Sequence, residues 1–528
     1  MTSLSSSILW QHMHEYYAQL GTEVWEEEVV PQQITNNTYL ANNYAKLIVA
    51  QIQDYILAHG KPDDDFSFYI LEIGAGHGRL SFYLLENLRQ AFEVFEWPRK
   101  WLKFIMTDIS LKSIETWQTH HALKPFIDEG WLDIAVFNAN RDTEINLAIS
   151  GQQIKANSIN KPLFVICNYI FDTLVQDAFQ VINHRLHEVE LVIKNESQIE
   201  KGDLKDYFKD AHYEFVKYPI NTNYYNENPV LNKILQAYEA ECENAAFLMP
   251  LGAFQCIENL KKFTKGPVMF LVSDKGVTDK ELFEEDENPD ISFHGSVSMM
   301  VNFDALKRFT ELCGGNSLLM GDKGADFQVA NFIFNTDYKI PNTTYAFTNS
   351  LSCFSPQDLF DICYIDDEPI KNLKLESIVN ILNLAEWDPS IFYDYYEQMI
   401  EILEKDDITF NVQHSILNGL ELAWRYFFKL EKSQDLPFAI GSTLYNMGFN
   451  EKAITFYNYS LEFFGKDKDT YFNLTLAYQA SGNYVKAQEM ISESLKIAPK
   501  NKAMTKLQKE IEPLHDDFTT QGNLWAMK

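Results

Sequence analysis

The stretch Phe68-Tyr69-Ile70-Leu71-Glu72-Ile73-Gly74-Ala75-Gly76-His77-Gly78-Arg79-Leu80 decides the fold. An apolar run leads into three glycines at alternate positions, and a helical pattern follows from Arg79 to Leu88. The order predicts a buried strand, a tight turn and a helix. Glycine lets the backbone approach a ligand closely, and the amide N–H groups at the start of the helix face that approach. The dinucleotide fingerprint G-x-G-x-x-G is not met, because Arg79 stands where its third glycine belongs.

Outward from this turn, β-type runs alternate with helical stretches: Phe66–Ile73, Phe104–Thr107, Leu132–Phe137, Leu163–Cys167, Val268–Ser273 and Phe327–Phe334. The alternation predicts an α/β fold, a Rossmann-like parallel sheet flanked by helices, over residues 66–345. Between the fourth and fifth of these runs lie about a hundred residues, more than a crossover helix needs. The surplus, about 183–263, is expected to form an inserted cap from the runs His187–Ile193 and Tyr213–Tyr218 and a helix at Leu231–Cys242. Residues 1–65 read as a helical N-terminal segment, with Trp10, His14, Tyr17 and Leu20 at helical spacing.

Past Phe354 the pattern is helical, and it contains a repeat. Leu444, Gly448, Ala453, Tyr457, Ser460 and Leu461 recur as Tyr478, Gly482, Ala487, Ile491, Ser494 and Leu495, each 34 residues on. That is the tetratricopeptide period, so residues 436–515 are predicted as all-α tetratricopeptide repeats, and 346–435 as a helical connector or degenerate repeat. Such arrays expose concave surfaces that bind proteins, which makes a protein substrate or partner the expected ligand of this region.

Composition narrows the function classes. With 44 Lys and Arg against 75 Asp and Glu, the net charge of −31 would repel nucleic acid and anionic membranes and suit a basic protein partner, or serve solubility alone. The six cysteines show no C-x-x-C spacing, so no zinc site is expected, and a reducing compartment is. Residues 1–20 lack the features of a secretory signal and no apolar run reaches eighteen residues, so a cytoplasmic location is expected. The acidic run Glu281–Glu287 lacks the offsets of a calcium loop and reads as solvated. No metal site is assigned.

The E-x-G-x-G-x-G arrangement resembles motif I of S-adenosylmethionine-dependent methyltransferases. That cofactor carries an amino group and no pyrophosphate, which suits Glu72 beside the turn of Gly74, Gly76 and Gly78. A second acid is then needed at the end of the next strand to accept hydrogen bonds from the ribose hydroxyls, and Asp108 stands there. After the third strand, Asn138 and Asn140 are candidates for the adenine edge or for turn formation.

Further segments resemble one family, the MidA-like methyltransferases. They are Glu72–Leu80, Asp108–Gln118, the run from Phe164 through Asn168, Asp172 and Leu174 to Phe179, Val268–Gly276 and His294–Leu306, all in order within about residues 25–336. The resemblance implies S-adenosylmethionine as cofactor and methylation of protein arginine, in that family's mitochondrial members linked to respiratory complex I assembly. Tyr169 stands where the family has Glu, Val175 where it has Pro, and Lys275 where it has Tyr. Asp172 is expected to contact or deprotonate the methyl acceptor, with Asn168 and Tyr169 shaping the transfer site, although an acid at that place also suits a helix N-terminus. A methyltransferase fold that only scaffolds an interaction, and a small-molecule methyltransferase, are the alternative readings.

Overall fold

The computed structural model describes residues 3–20, 34–63, 66–193, 213–278, 283, 288, 291–293, 297–321, 326–365, 368–405 and 408–512. The chain divides into two compact units, Met1–Phe360 and Asp361–Lys528. Of the acidic run Glu281–Glu287, all but Phe283 lies outside the described residues.

Helices α1 (Ile8–Leu20), α2 (Thr38–His59) and α3 (Arg79–Val94) belong to the first unit. Its strands are β1 (Phe68–Glu72), β2 (Leu102–Asp108), β3 (Leu132–Val136), β4 (Leu163–Asn168), β5 (Asp177–Ile182), β6 (Leu186–Ile193), β7 (Tyr213–Pro219), β8 (Asn244–Met249), β9 (Val268–Val277), β10 (Val301–Asn302), β11 (Asn316–Leu319) and β12 (Phe327–Phe334). Several two-stranded ribbons complete the list. The main sheet runs β11-β12-β9-β4-β1-β2-β3, with β10 beside β9. Pairings from β9 to β3 are parallel, and β12 runs antiparallel to both β9 and β11. Such strands are apolar along their length because both faces are covered, and every residue of β12 is buried.

Chain order reverses at β1: β2 and β3 lie on one side of it and β4 and β9 on the other. A crevice opens at the carboxyl ends of the strands where order reverses, which here is where Glu72, Asp108 and Asn168 end their strands.

The cap is a second sheet, antiparallel, in the order β8-β5-β6-β7. It begins at Asp177, earlier than expected, and recruits β8, which sequence patterning missed. The helix Leu251–Lys261 starts so close to β4's exit that a Cβ on Gly252 would stand 2.8 Å from the Val175 nitrogen.

The N-terminal residues are not a separate segment. Helix α2 packs on α3 and on the helix Pro341–Asn349, which also belongs to the first unit. Buried Asp54 of α2 binds the first turn of that helix: Asn342 donates through its backbone N (3.0 Å) and Nδ2 (2.8 Å), and Thr343 through its backbone N (2.9 Å) and Oγ1 (2.8 Å). A carboxylate satisfying orphan N–H groups at a helix start is favoured by both the hydrogen bonds and the helix dipole.

In the second unit the helices Leu375–Leu384, Pro389–Leu403 and Phe410–Arg425 precede Leu436–Asn446, Asn450–Phe464, Lys468–Ala480 and Tyr484–Ile497. Positions 34 apart match in conformation and burial: Gly448 (φ +82°) and Gly482 (φ +76°) each turn the chain between two helices, and Ala453 and Ala487 are fully buried. Among the described residues, no helix is long and apolar enough to cross a membrane.

Replacing Asp54 with Ala strips the acceptor from buried donors and should lower the first unit's stability by about 2–3 kcal/mol. A lower urea midpoint with faster amide exchange over 341–349 is the expected result; an unchanged midpoint would show that apolar packing alone holds that helix.

Candidate active site

Three consecutive departures into positive φ make the turn after β1: Gly74 (+63°), Gly76 (+55°) and Gly78 (+88°). Side chains there would meet more than backbone strain. A Cβ on Gly78 would stand 2.7 Å from Met106 Cε and 3.2 Å from Trp117 Nε1, and one on Gly74 would overlap Ile170 Cδ1. The turn is then fastened to β2. Ala75 N donates to the Thr107 carbonyl (2.9 Å), Thr107 Oγ1 to the Glu72 carbonyl (2.7 Å), and Trp117 Nε1 to the Gly76 carbonyl (3.1 Å).

Asp108 closes the arrangement. Its Oδ2 accepts from Gly76 N (3.1 Å) and its Oδ1 from Ser110 N (3.0 Å). Burial pushes its pKa up to about 6, against the opposing pull of these N–H groups. Glu72 is buried behind the turn, where the Ser81 hydroxyl donates to Oε2; burial lifts it to about 7 despite that bond, and the Asp108 charge adds to the rise.

A cavity of about 680 Å³ opens in front of the turn. Gly74, Asp108 and Asn138 line it, together with Tyr169 and Ile170 from the exit of β4 and Trp10 and His14 from α1. The structure thus brings Gly74, Asp108, Asn138 and Tyr169 to one space, with Gly76 and Gly78 shaping the turn behind it. Asn138 is also a turn former: its Oδ1 accepts from Asn140 N (3.1 Å) and its own N donates to Asp142 Oδ2 (2.7 Å). Tyr169 takes φ +50°, its N donating to the Ser273 carbonyl (2.9 Å). The left-handed backbone of a bulky residue at a strand exit is the kind of strain that accompanies functional sites.

Three expected residues point elsewhere. Glu72, expected at the cofactor, is turned to Ser81 behind the turn and does not line the cavity. Asn168 accepts from the Tyr44 hydroxyl (2.9 Å) and donates to the Thr35 carbonyl (3.3 Å), so it ties the sheet to α2. Asp172 does not line the cavity. It sits in the one-turn helix Phe171–Thr173, whose N–H groups at Phe171 (2.9 Å) and Asp172 (3.2 Å) donate to Asp274 Oδ2. Those two bonds turn the segment toward β9 and pair its acid with Asp274. Burial raises both, Asp172 to about 7 and Asp274 well above the usual carboxylate range, with each charge opposing the other in Asp274's case. The expectation that Asp172 meets the acceptor is therefore corrected.

Sequence reading also missed α1 as a wall of the site. The spacing of Trp10 and His14 predicted a helix, but not that a helix from the chain's first residues would cross to the cap.

The arrangement fits an adenosyl cofactor: a turn that a Cβ would fill, and a buried acid facing the cavity at the end of the second strand. Residues 47–318, just over half of the chain, match the family described as "Putative S-adenosyl-L-methionine-dependent methyltransferase". The chain belongs to this methyltransferase family. S-adenosylmethionine is its cofactor. No curated protein matches the chain. Among solved structures, an uncharacterised protein from Burkholderia thailandensis aligns at 11% identity over 63% of this chain and 95% of its own, TM-score 0.36. A second protein from that organism, solved with S-adenosyl-homocysteine bound, aligns at 12% over 65% and 96%, TM-score 0.37. The plantazolicin methyltransferase BpumL, in complex with the same product, aligns at 8% over 62% and 98%, TM-score 0.27.

Two consequences of the electrostatics are measurable. Only ionised Asp108 offers both oxygens as acceptors, so S-adenosylhomocysteine affinity in this methyltransferase should rise about tenfold per pH unit up to about 6, then level off. Asp108→Asn should weaken binding by about 10–100-fold and flatten that limb in calorimetry. Asp172 behaves differently. Its folded pKa is raised, so its contribution to stability is present at low pH and lost as pH rises through about 7. Asp172→Asn should accordingly stabilise the protein at pH 8 by about 1–3 kcal/mol, change little below about pH 4 and leave cofactor affinity as it was; weakened cofactor binding would put Asp172 back in the cavity.

Proposed function

We infer that this methyltransferase acts on a protein side chain, arginine by its resemblance to the MidA-like family, and that the helix pairs of its second unit are tetratricopeptide repeats that bind the substrate or a partner protein. The observation that carries the reading is the cavity at the switch point. There Gly74, Asp108, Tyr169 and α1 line a space of about 680 Å³, a volume in the range of sites that hold whole ligands.

Bound S-adenosylmethionine supplies an electrophilic methyl group on a positively charged sulfur. The chain's part is to hold and align. Asp108 is placed to fix the ribose hydroxyls, the glycine turn allows close backbone approach, and buried Ile73 and Phe137 keep water from that wall. Protein as the acceptor class draws its support from the repeat. Residues 34 apart match in conformation and burial in two successive helix pairs, and such arrays bind peptides or helices and carry no chemistry themselves.

A second reading, a methyltransferase fold kept as a binding scaffold, is favoured by one feature. With Tyr169 in place of the family's Glu and Asp172 turned to Asp274, the exit of β4 presents no carboxylate to the cavity.

Transfer of a tritiated methyl group to a cell lysate, followed by separation of protein from metabolite counts, tests the reading. Label in protein that is lost with Gly78→Ala is expected, because strain and the clash with Met106 together should cost about 1–3 kcal/mol at the turn. Label in small molecules would replace the acceptor class, and cofactor binding without any transfer would favour the scaffold.

A further inference from the structure

A side-chain nitrogen or oxygen that gains a methyl group must shed a proton, and the exit of β4 presents no carboxylate to the cavity to receive it. Among the described residues, the carboxylates and imidazole that line the cavity are those of Asp108, Glu15 and His14. Asp108 is held by Gly76 and Ser110 at the cofactor end. Glu15 is engaged along its own helix, accepting from Gln11 Nε2 (2.9 Å) and lying 3.9 Å from His12 Nδ1. His14 makes no hydrogen bond among the described residues and is partly buried on the cavity wall.

Its position is built. Helix α1 is clamped on the cap by Leu4, Leu9, Trp10 and Met13, which pack with Val189, Leu248 and Met299 in one apolar cluster. Trp10 Nε1 donates to the Leu4 carbonyl (2.8 Å), and Ser5 N to Asp177 Oδ1 (3.1 Å). Trp10 and His14, four residues apart, therefore share the face turned to the cavity. The charges that reach His14 are Glu15 on its own helix and Arg141 beyond β3, and Asp108 at the end of β2 and Tyr169 after β4 line the same cavity. Burial and the Arg141 charge lower the imidazole's pKa and Glu15 opposes them, which leaves the ring neutral at pH 7.

We propose that His14 is the proton acceptor for methyl transfer. The inference rests on the methyltransferase reading given above. The acceptor's attacking atom forms its bond to the methyl carbon, the carbon–sulfur bond breaks with its electron pair leaving on sulfur, and the acceptor's proton passes to a ring nitrogen of His14, which returns it to solvent. Since a positioned base contributes about 10²–10⁴-fold, its loss should be plain in rate and absent from cofactor affinity.

The full chain, His14→Gln and His14→Ala are compared in three measurements: calorimetry with S-adenosylhomocysteine, tritiated methyl transfer to lysate protein between pH 5.5 and 8.5, and carbethoxylation of His14 by diethyl pyrocarbonate with and without S-adenosylhomocysteine. Expected are affinities within about threefold of the parent, a transfer rate at saturating S-adenosylmethionine, where the Asp108 binding limb drops out, lower by about 100-fold or more with the acid limb of the parent's pH profile gone, and slower carbethoxylation of His14 when the cavity is filled. Variant rates and pH profiles like the parent's would overturn the proposal, as would affinity lost in step with rate or carbethoxylation indifferent to ligand. If the parent binds S-adenosylhomocysteine but labels no protein, the protein-acceptor reading falls and the carbethoxylation result alone judges His14. A parent that binds no S-adenosylhomocysteine overturns the methyltransferase reading and this proposal together.

Discussion

The bond from Gly76 N to Asp108 Oδ2 joins two strand ends, and the architecture of the first unit is arranged around it. A carboxylate costs free energy to bury unless hydrogen-bond donors meet it. Here one donor, Gly76 N, comes from the glycine turn and the other, Ser110 N, from the segment after β2, so strand, turn and acid require one another. The parallel sheet places β1 and β2 side by side with Glu72 opposite Met106, which sets Asp108 two residues further along and level with the turn. The same reversal of strand order that opens the crevice delivers β4's exit, with Tyr169, to its other side.

A second pair of acids obeys the same physics with a different outcome. Asp172 and Asp274 also meet at the carboxyl ends of strands, but they face each other instead of the cavity, and both are pushed up by burial. Asp108 serves the site, and the Asp172–Asp274 pair fastens the cap's entry segment to the central sheet. What separates them is the direction of a single short helix, fixed by two backbone N–H groups on Asp274.

How much of this was legible in the sequence follows from the range of the interactions involved. The strand before Gly74, the turn and the acid at Asp108 are local signals: apolar runs, glycine spacing and an acid at a strand end. They read correctly because they rest on backbone conformation and short-range pairing. Strand β8 (Asn244–Met249) did not, since it is buried from Ala245 to Met249 and lacks the alternation that marks a half-exposed strand. Asp172 was placed correctly along the chain and wrongly in direction, because a strand exit fixes where a residue is and not where its side chain turns. Helix α1 was visible as a helix. Its docking on β6 and β8 through Trp10 and Met13 depends on contacts more than 170 residues apart, which periodicity does not encode.

The central claim, that the Gly74–Gly78 turn and Asp108 form the cofactor site beneath α1, is tested most directly by a crystal structure of the full chain with S-adenosylhomocysteine. The account predicts the ligand in the cavity lined by Tyr169 and His14, its ribose hydroxyls bonded to Asp108. A ligand bound elsewhere, or one in the cavity with Asp108 still satisfied by backbone N–H groups alone, would contradict it.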